Sequence, residues 1–161
     1  MRSIARTLVL ASALAGSLPL FAEALVASDL KAFTAKMDAA RARCDIDTVI
    51  DRVSPLATIS GTGFAQGDTT MYRFNKQQYG ALLKLLCMED LNYKYTRTGE
   101  RISIDGDQAT ITSDVAESFV TQEGQTVLTK IRDKTVIELI DGKLMLVQLV
   151  SNQTEANIAS R

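Results

Sequence analysis

Alternation of apolar and polar positions is clearest between Leu91 and Thr154. Four long alternating runs are separated by Asp105-Gly106-Asp107, Glu123-Gly124-Gln125 and Asp141-Gly142. Gly and Asp tolerate the positive φ of tight turns, so this pattern predicts four antiparallel strands in sequence. Runs of about a dozen residues exceed the usual strand of five or six, which predicts a strongly twisted, curved sheet.

Upstream the period changes. Leu30, Phe33, Met37, Ala40 and Cys44 recur at steps of three and four, predicting a helix over Ser28 to Arg43. Ser28 is the expected N-cap and Asp29 suits the first turn. Asp38, Arg41 and Arg43 fall off the stripe. Ile46, Val49, Ile50 and Val53 predict a short helix over Asp45 to Val53, ended by Ser54-Pro55. Leu56 to Phe74 reads as a hairpin turning at Ala65-Gln66-Gly67-Asp68, with Gly61 and Gly63 marking a bulge or a close backbone approach. Gly61-Thr62-Gly63 lacks the further Gly, the Lys and the following helix of a phosphate-binding loop. Asn75 to Met88 carries the best helix signals: an Asn75/Gln78 capping box, a Phe74/Tyr79 staple, and an apolar face of Tyr79, Leu82, Leu83 and Leu86.

Met1 to Ala24 has the parts of a secretory signal peptide. Arg2 and Arg6 precede an apolar run from Thr7 to Phe21, and Ala22-Glu23-Ala24 is a small-x-small cleavage site. The run is short for roughly 30 Å of hydrocarbon, so no transmembrane anchor is expected after cleavage. The expected mature protein is one domain over residues 25–154 with a flexible tail over 155–161, in the periplasm or secreted. Its 161-residue precursor holds 18 basic and 19 acidic residues. Without Arg2, Arg6 and Glu23 the balance is 16 to 18, a net charge of −2. With no basic patch among aromatics, nucleic acid is not an expected partner. Two cysteines, Cys44 and Cys87, favour a disulfide in an exported chain; the alternative is two buried thiols.

The chain has no histidine. That excludes His-based metal sites, Ser-His-Asp triads and an imidazole base, and neither metal nor cofactor is expected. Acid–base work falls to Asp, Glu, Tyr or Lys. Strand parity selects candidates. Ala109, Ile111, Val115 and Phe119 share a face with Glu117, and Ile131, Ile137 and Leu139 share one with Asp133. Tyr93 and Tyr95 lie on the apolar face of their own strand with Leu91. Tyr93, Tyr95, Glu117 and Asp133 are thus candidates for one concave face, with Phe119 and Ile131 beside them as pocket lining. The alternative is that a bulge shifts the parity and leaves both carboxylates in water, with the tyrosines as core packing.

The order helix, helix, hairpin, helix, four-stranded meander resembles the nuclear transport factor 2-like superfamily, which includes SnoaL-like cyclases, ketosteroid isomerase and scytalone dehydratase. The phrases "ISIDGDQATITSDV", "GQT" and "TVIELIDGKLMLVQLVS" are similar to SnoaL-like tails, where "dGdtA" and "dGkWkl" mark the same turns. Here Leu144 stands where the usual Trp would be, the first helix has Phe33 and no Tyr, and Asp51 is the nearest acid before the first strand. The resemblance implies an α+β fold with helices over the concave face of a curved antiparallel sheet and a pocket between them. It brings the helix ends carrying Cys44 and Cys87 together, and sheets of this kind often pair into homodimers through the convex face. Two functions follow as expectations. One is a non-catalytic binding domain whose apolar pocket holds a small hydrophobic ligand or lipid, or which meets a protein partner. The other is an isomerase, cyclase or dehydratase using Glu117 or Asp133 with Tyr93 or Tyr95.

Overall fold

The computed structural model describes residues 25–65, 68–88 and 91–159. Residues 1–24, which carry the expected signal peptide, and the centre of the Ala65–Asp68 turn lie outside them. Among the described residues the elements run α1 (Ala27–Ala42), α2 (Ile46–Asp51), β1 (Val53–Ala65), β2 (Asp68–Phe74), α3 (Lys76–Leu86), β3 (Lys94–Asp105), β4 (Gln108–Val120), β5 (Thr126–Ile140) and β6 (Lys143–Ala159). The strands form one sheet in the order β2-β1-β6-β5-β4-β3. All neighbours are antiparallel except β1 and β6, which run parallel. This is the α+β architecture expected from the order of elements.

The turns act as their residues require. Asp141 and Gly142 both have positive φ, 49° and 70°, and connect β5 to β6 in two residues. Gly106 and Gly124 adopt φ of 58° and 80° in the other two turns. Asn75 Oδ1 accepts from the Gln78 amide while Gln78 Oε1 accepts from the Asn75 amide, completing the capping box of α3.

Several boundaries differ from the sequence reading. Val26, not Ser28, caps α1, with no side-chain bond to the first turn; the Ser28 hydroxyl lies 3.5 Å from the Asp29 carboxylate instead. α2 ends at Asp51, and β1 already begins at Val53. Pro55 falls where the β1–β6 register shifts between Val53 and Thr58, a break that tolerates its missing N–H. The last strand continues past Thr154 to Ala159, because Glu155 to Ala159 pair with Thr126 to Lys130 of β5. Its side chains at 155–158 are exposed, so the extension is a backbone-paired one that apolar patterning does not reveal.

Two apolar clusters lie between sheet and helices. One gathers Ala40, Ile46, Val49, Val53, Ile59, Tyr79, Leu83, Leu146 and Leu149 beneath all three helices. The other gathers Leu25, Leu30, Ala109, Ile111 and Ile137, with Phe33 and Leu144 at its edge. Cys44 and Cys87 are joined in a disulfide, Cα–Cα 5.6 Å, fastening the end of α1 to the end of α3. Such bonds persist in oxidising compartments. No helix among the described residues is long and apolar enough to cross a membrane.

Candidate active site or binding cavity

The concave face carries one polar rung through its apolar surface. Tyr72 pairs with Gly61, Gly61 with Ser151, Ser151 with Asp133, and Asp133 with Ser113. Five strands therefore contribute small or polar residues in one line. The adjacent rung, Phe74, Ile59, Leu149, Thr135, Ile111 and Ile102, is apolar except at Thr135. Gly61 has a local cause. A Cβ there would lie 1.7 Å from the Ser151 carbonyl oxygen and 2.6 Å from the Tyr72 hydroxyl, and that hydroxyl donates to the same carbonyl at 3.0 Å.

α1 covers this face with a cation. Arg41 donates from Nε to the Tyr93 hydroxyl at 2.9 Å, from Nη1 to the Tyr79 hydroxyl at 3.4 Å, and from Nη2 to Glu117 Oε1 at 2.5 Å. Tyr93 in turn donates to the same Glu117 oxygen at 2.9 Å. The guanidinium carbon stands 4.3 Å from the Tyr95 ring centroid, a cation–π distance. The side chains of Arg41 and Glu117 are 13% and 11% exposed. A second cation, Arg97, donates to Asp38 at 3.0 Å, Ser113 at 3.1 Å and the Tyr95 hydroxyl at 2.8 Å.

Asp133, 3% exposed, has no comparable partner. Ser151 donates to it at 2.6 Å. Burial raises its carboxyl above the ordinary aspartate value; the Ser151 bond and then Arg97 and Arg41 pull the other way without cancelling the effect. Burial likewise pushes Tyr93 and Tyr95 above the ordinary phenol range, against the pull of Arg41. Both therefore keep their hydroxyl protons: Tyr93 donates to Glu117, and Tyr95 accepts from Arg97.

A cavity of about 80 Å³ opens beside this rung. Its lining combines Arg41, Tyr72, Tyr79, Glu117, Asp133 and Ser151 with Ile59, Phe74, Leu82, Leu86, Ile131 and Leu149. It is of mixed character, where an apolar pocket was expected, because the polar rung forms its floor. A smaller void of about 30 Å³ lies on the other side of Arg41, Tyr79, Asp133 and Leu149, and also meets Tyr95 and Thr135.

Of the residues selected by parity, Glu117, Asp133 and Ile131 line the larger cavity and Tyr95 the smaller. Tyr93 reaches the cluster through its hydroxyl. Phe119 is half-buried and lines neither cavity. Asp51 is exposed. Sequence reasoning missed Arg41 and Asp38, because charges off an apolar stripe read as solvated, and passed over Arg97 although it shares the parity of Tyr93 and Tyr95. It also missed Tyr72 and Ser151, whose roles depend on strand order. Gly61, read as a bulge or close backbone approach, and Asp133, read by parity, are the two sequence signals that pointed to this rung. Among the described residues no cluster of three His, Cys, Asp or Glu side chains could hold a metal ion.

No family model matches the chain, and no curated protein matches it. Solved structures do. A nuclear transport factor 2-like protein with a cystatin-like fold from Novosphingobium aromaticivorans is 12% identical over 80% of this chain and 81% of its own, with a TM-score of 0.62. A hexachlorocyclohexane dehydrochlorinase, type 2, is 12% identical over 83% and 90%, with a TM-score of 0.66. A protein from Novosphingobium aromaticivorans named as a scytalone dehydratase is 10% identical over 82% and 86%, with a TM-score of 0.65. With its helices over a curved six-stranded sheet and these structural neighbours, the chain has the nuclear transport factor 2-like cone fold.

Proposed function

We propose that this is an exported, non-catalytic binding domain whose cone holds a small molecule with an apolar body and one hydrogen-bonding end. The carrying observation is the mixed lining of the cavity, which combines Asp133, Ser151 and Tyr72 with Leu82, Leu86 and Ile131. The polar groups beside it are bonded mainly to one another: Arg41 is engaged through all three of its nitrogens. Such a cluster shapes and orients a ligand more readily than it reacts with one. Size limits the ligand. At about 80 Å³ the cavity is smaller than the roughly 150 Å³ void that admits benzene, so it takes a small group and does not enclose an acyl chain. The Met1–Ala24 segment and the disulfide support export to an oxidising compartment, periplasmic or extracellular.

Protein purified from its own cells is the material for the test. Native mass spectrometry should detect a copurifying small molecule, displaced when Leu82→Trp crowds the mouth. Repeated preparations with nothing bound, or an occupant indifferent to Leu82→Trp, would count against the reading.

One observation favours a second reading, an isomerase, cyclase or dehydratase. Asp133 is a buried carboxyl on the cavity wall with a raised pKa, the condition for a general acid or base. Tyr72 and Tyr79 line the same cavity and would supply donors. Two of the structurally similar proteins carry enzyme names, a dehydrochlorinase and a dehydratase. In this reading the copurified molecule exchanges a carbon-bound proton for deuterium in heavy water, and Asp133→Asn stops the exchange. Absence of exchange in the parent protein leaves binding alone.

A further inference from the structure

α1 presents a second set of side chains away from the cavity. A surface groove of about 420 Å³ runs beside it towards the β5–β6 turn, with half-buried Phe33, Met37 and Leu144 along its apolar stretch. It continues into a recess of about 310 Å³. Lys36 from α1, Arg52 from the α2–β1 junction and Lys143 from the start of β6 line both spaces. Elsewhere Lys84, Lys130, Arg132, Arg41 and Arg97 each hold a carboxylate. Among the described residues no ion pair is formed by Lys36, Arg52 or Lys143. Thr48 between them gives its hydroxyl to Asp45 at 2.7 Å. Two carboxylates face the same spaces, Asp51 in the recess and Asp29 in the groove. In the recess, three cations therefore meet one carboxylate.

We propose that this groove seats a single-chain amphiphile with a phosphate monoester head. The head lies among Lys36, Arg52 and Lys143, and the chain runs over Phe33, Met37 and Leu144. Charge selects the head. A dianion suits three cations beside one acid better than a carboxylate does, and the planar fork of Arg52 matches phosphate oxygens. The apolar stretch selects the tail, since covering half-exposed Phe33, Met37 and Leu144 removes apolar surface from water. Neither component alone satisfies both ends. This site is separate from the inner cavity and does not depend on what that cavity binds.

Calorimetry with dodecyl phosphate below its micelle concentration tests the site. The parent protein should bind one molecule, more weakly as salt rises. Lys36 and Lys143 are exposed, so Lys36→Gln with Lys143→Gln should keep the parent melting temperature while losing at least tenfold in affinity. Dodecanol and inorganic phosphate should each bind at least tenfold more weakly than dodecyl phosphate, and Leu82→Trp at the inner cavity should change nothing. The proposal is overturned by unchanged affinity in the double variant, by loss of binding in Leu82→Trp, or by no binding at all. Binding to phosphatidylglycerol vesicles without binding of the free amphiphile also overturns it, in favour of a membrane surface.

Discussion

Glu117 and Asp133 make an instructive pair. Both are acidic side chains on neighbouring strands of one curved sheet, both are largely hidden from solvent, and both line the same cavity. Glu117 meets the Arg41 guanidinium and the Tyr93 hydroxyl. Asp133 receives a hydroxyl from Ser151, while the nearby Arg97 is bonded to Asp38. A buried carboxylate must be paired or must favour its neutral form. The helix layer bonds a cation directly to one carboxyl and leaves the other with a hydroxyl donor and only the more distant pull of Arg97 and Arg41. One becomes an ion-pair anchor for α1, and the other becomes a titratable group on a cavity wall.

Removing the cation is the harshest way to break the contrast. Arg41→Ala leaves Glu117 buried without its partner, with an expected loss of about 3–5 kcal/mol in urea unfolding. Arg41→Met with Glu117→Leu should recover most of it, because neither charge is then buried. A loss below about 1 kcal/mol for Arg41→Ala would show that water reaches Glu117. The disulfide comes next. Cys44 lies three residues beyond Arg41, so the bond to Cys87 holds the end of α1 that carries the cation. Replacing both cysteines by Ser should cost about 2–4 kcal/mol for a loop of sequence separation 43. Melting at the parent temperature would show that packing alone fixes α1.

The Asp133 side is sharpened by a smaller change. Gly61→Ala places a methyl against the Ser151 carbonyl and the Tyr72 hydroxyl. The strands must part at the rung that supplies Asp133 with its hydroxyl, and overpacking of this kind costs about 1–3 kcal/mol. Chemical denaturation of the Ala variant checks it, and unchanged stability would mean that β1 yields freely.

The sequence showed much of this layout and hid its centre. The turn between β4 and β5 sets an unbroken register, so parity alone carries Glu117 and Asp133 to the concave face. The partner of Asp133 was not legible. The β5–β6 register slips between Val136 and Ile137; counting back from the Asp141-Gly142 turn without that slip sets Val150, not Ser151, opposite Asp133. The parallel pairing of β1 with β6 brings Gly61 and Tyr72 to the rung, and joining strands so distant in the chain leaves no local signal. Arg41 was hidden for another reason. A helix covered on two faces buries positions that a single apolar stripe assigns to solvent, and whether a charge there is paired depends on a strand 76 residues away.

The last contrast is one of sign, and pH reads it. Burial holds the Asp133 carboxyl above its ordinary value of 3.8. From about pH 4 upward, to the folded-state pKa, the native protein keeps a proton that the unfolded chain has released. Stability therefore falls as pH rises through that window and is not reduced below it. Asn at 133 cannot titrate, and its amide oxygen still accepts from Ser151. The melting temperature of Asp133→Asn minus that of the parent should be near zero at pH 4, rise through the window, and then level off a few degrees positive. Other groups, including Asp45 with its Thr48 bonds, are common to both proteins and cancel in the difference. Glu117→Gln should behave oppositely at pH 7 and melt below the parent, since it leaves the Arg41 cation without its counter-charge. Thermal unfolding followed by circular dichroism in steps from pH 4 to 8 measures both. A flat difference for Asp133→Asn across that range would mean that Asp133 is as well compensated as Glu117, and the contrast between the two carboxyls would not hold.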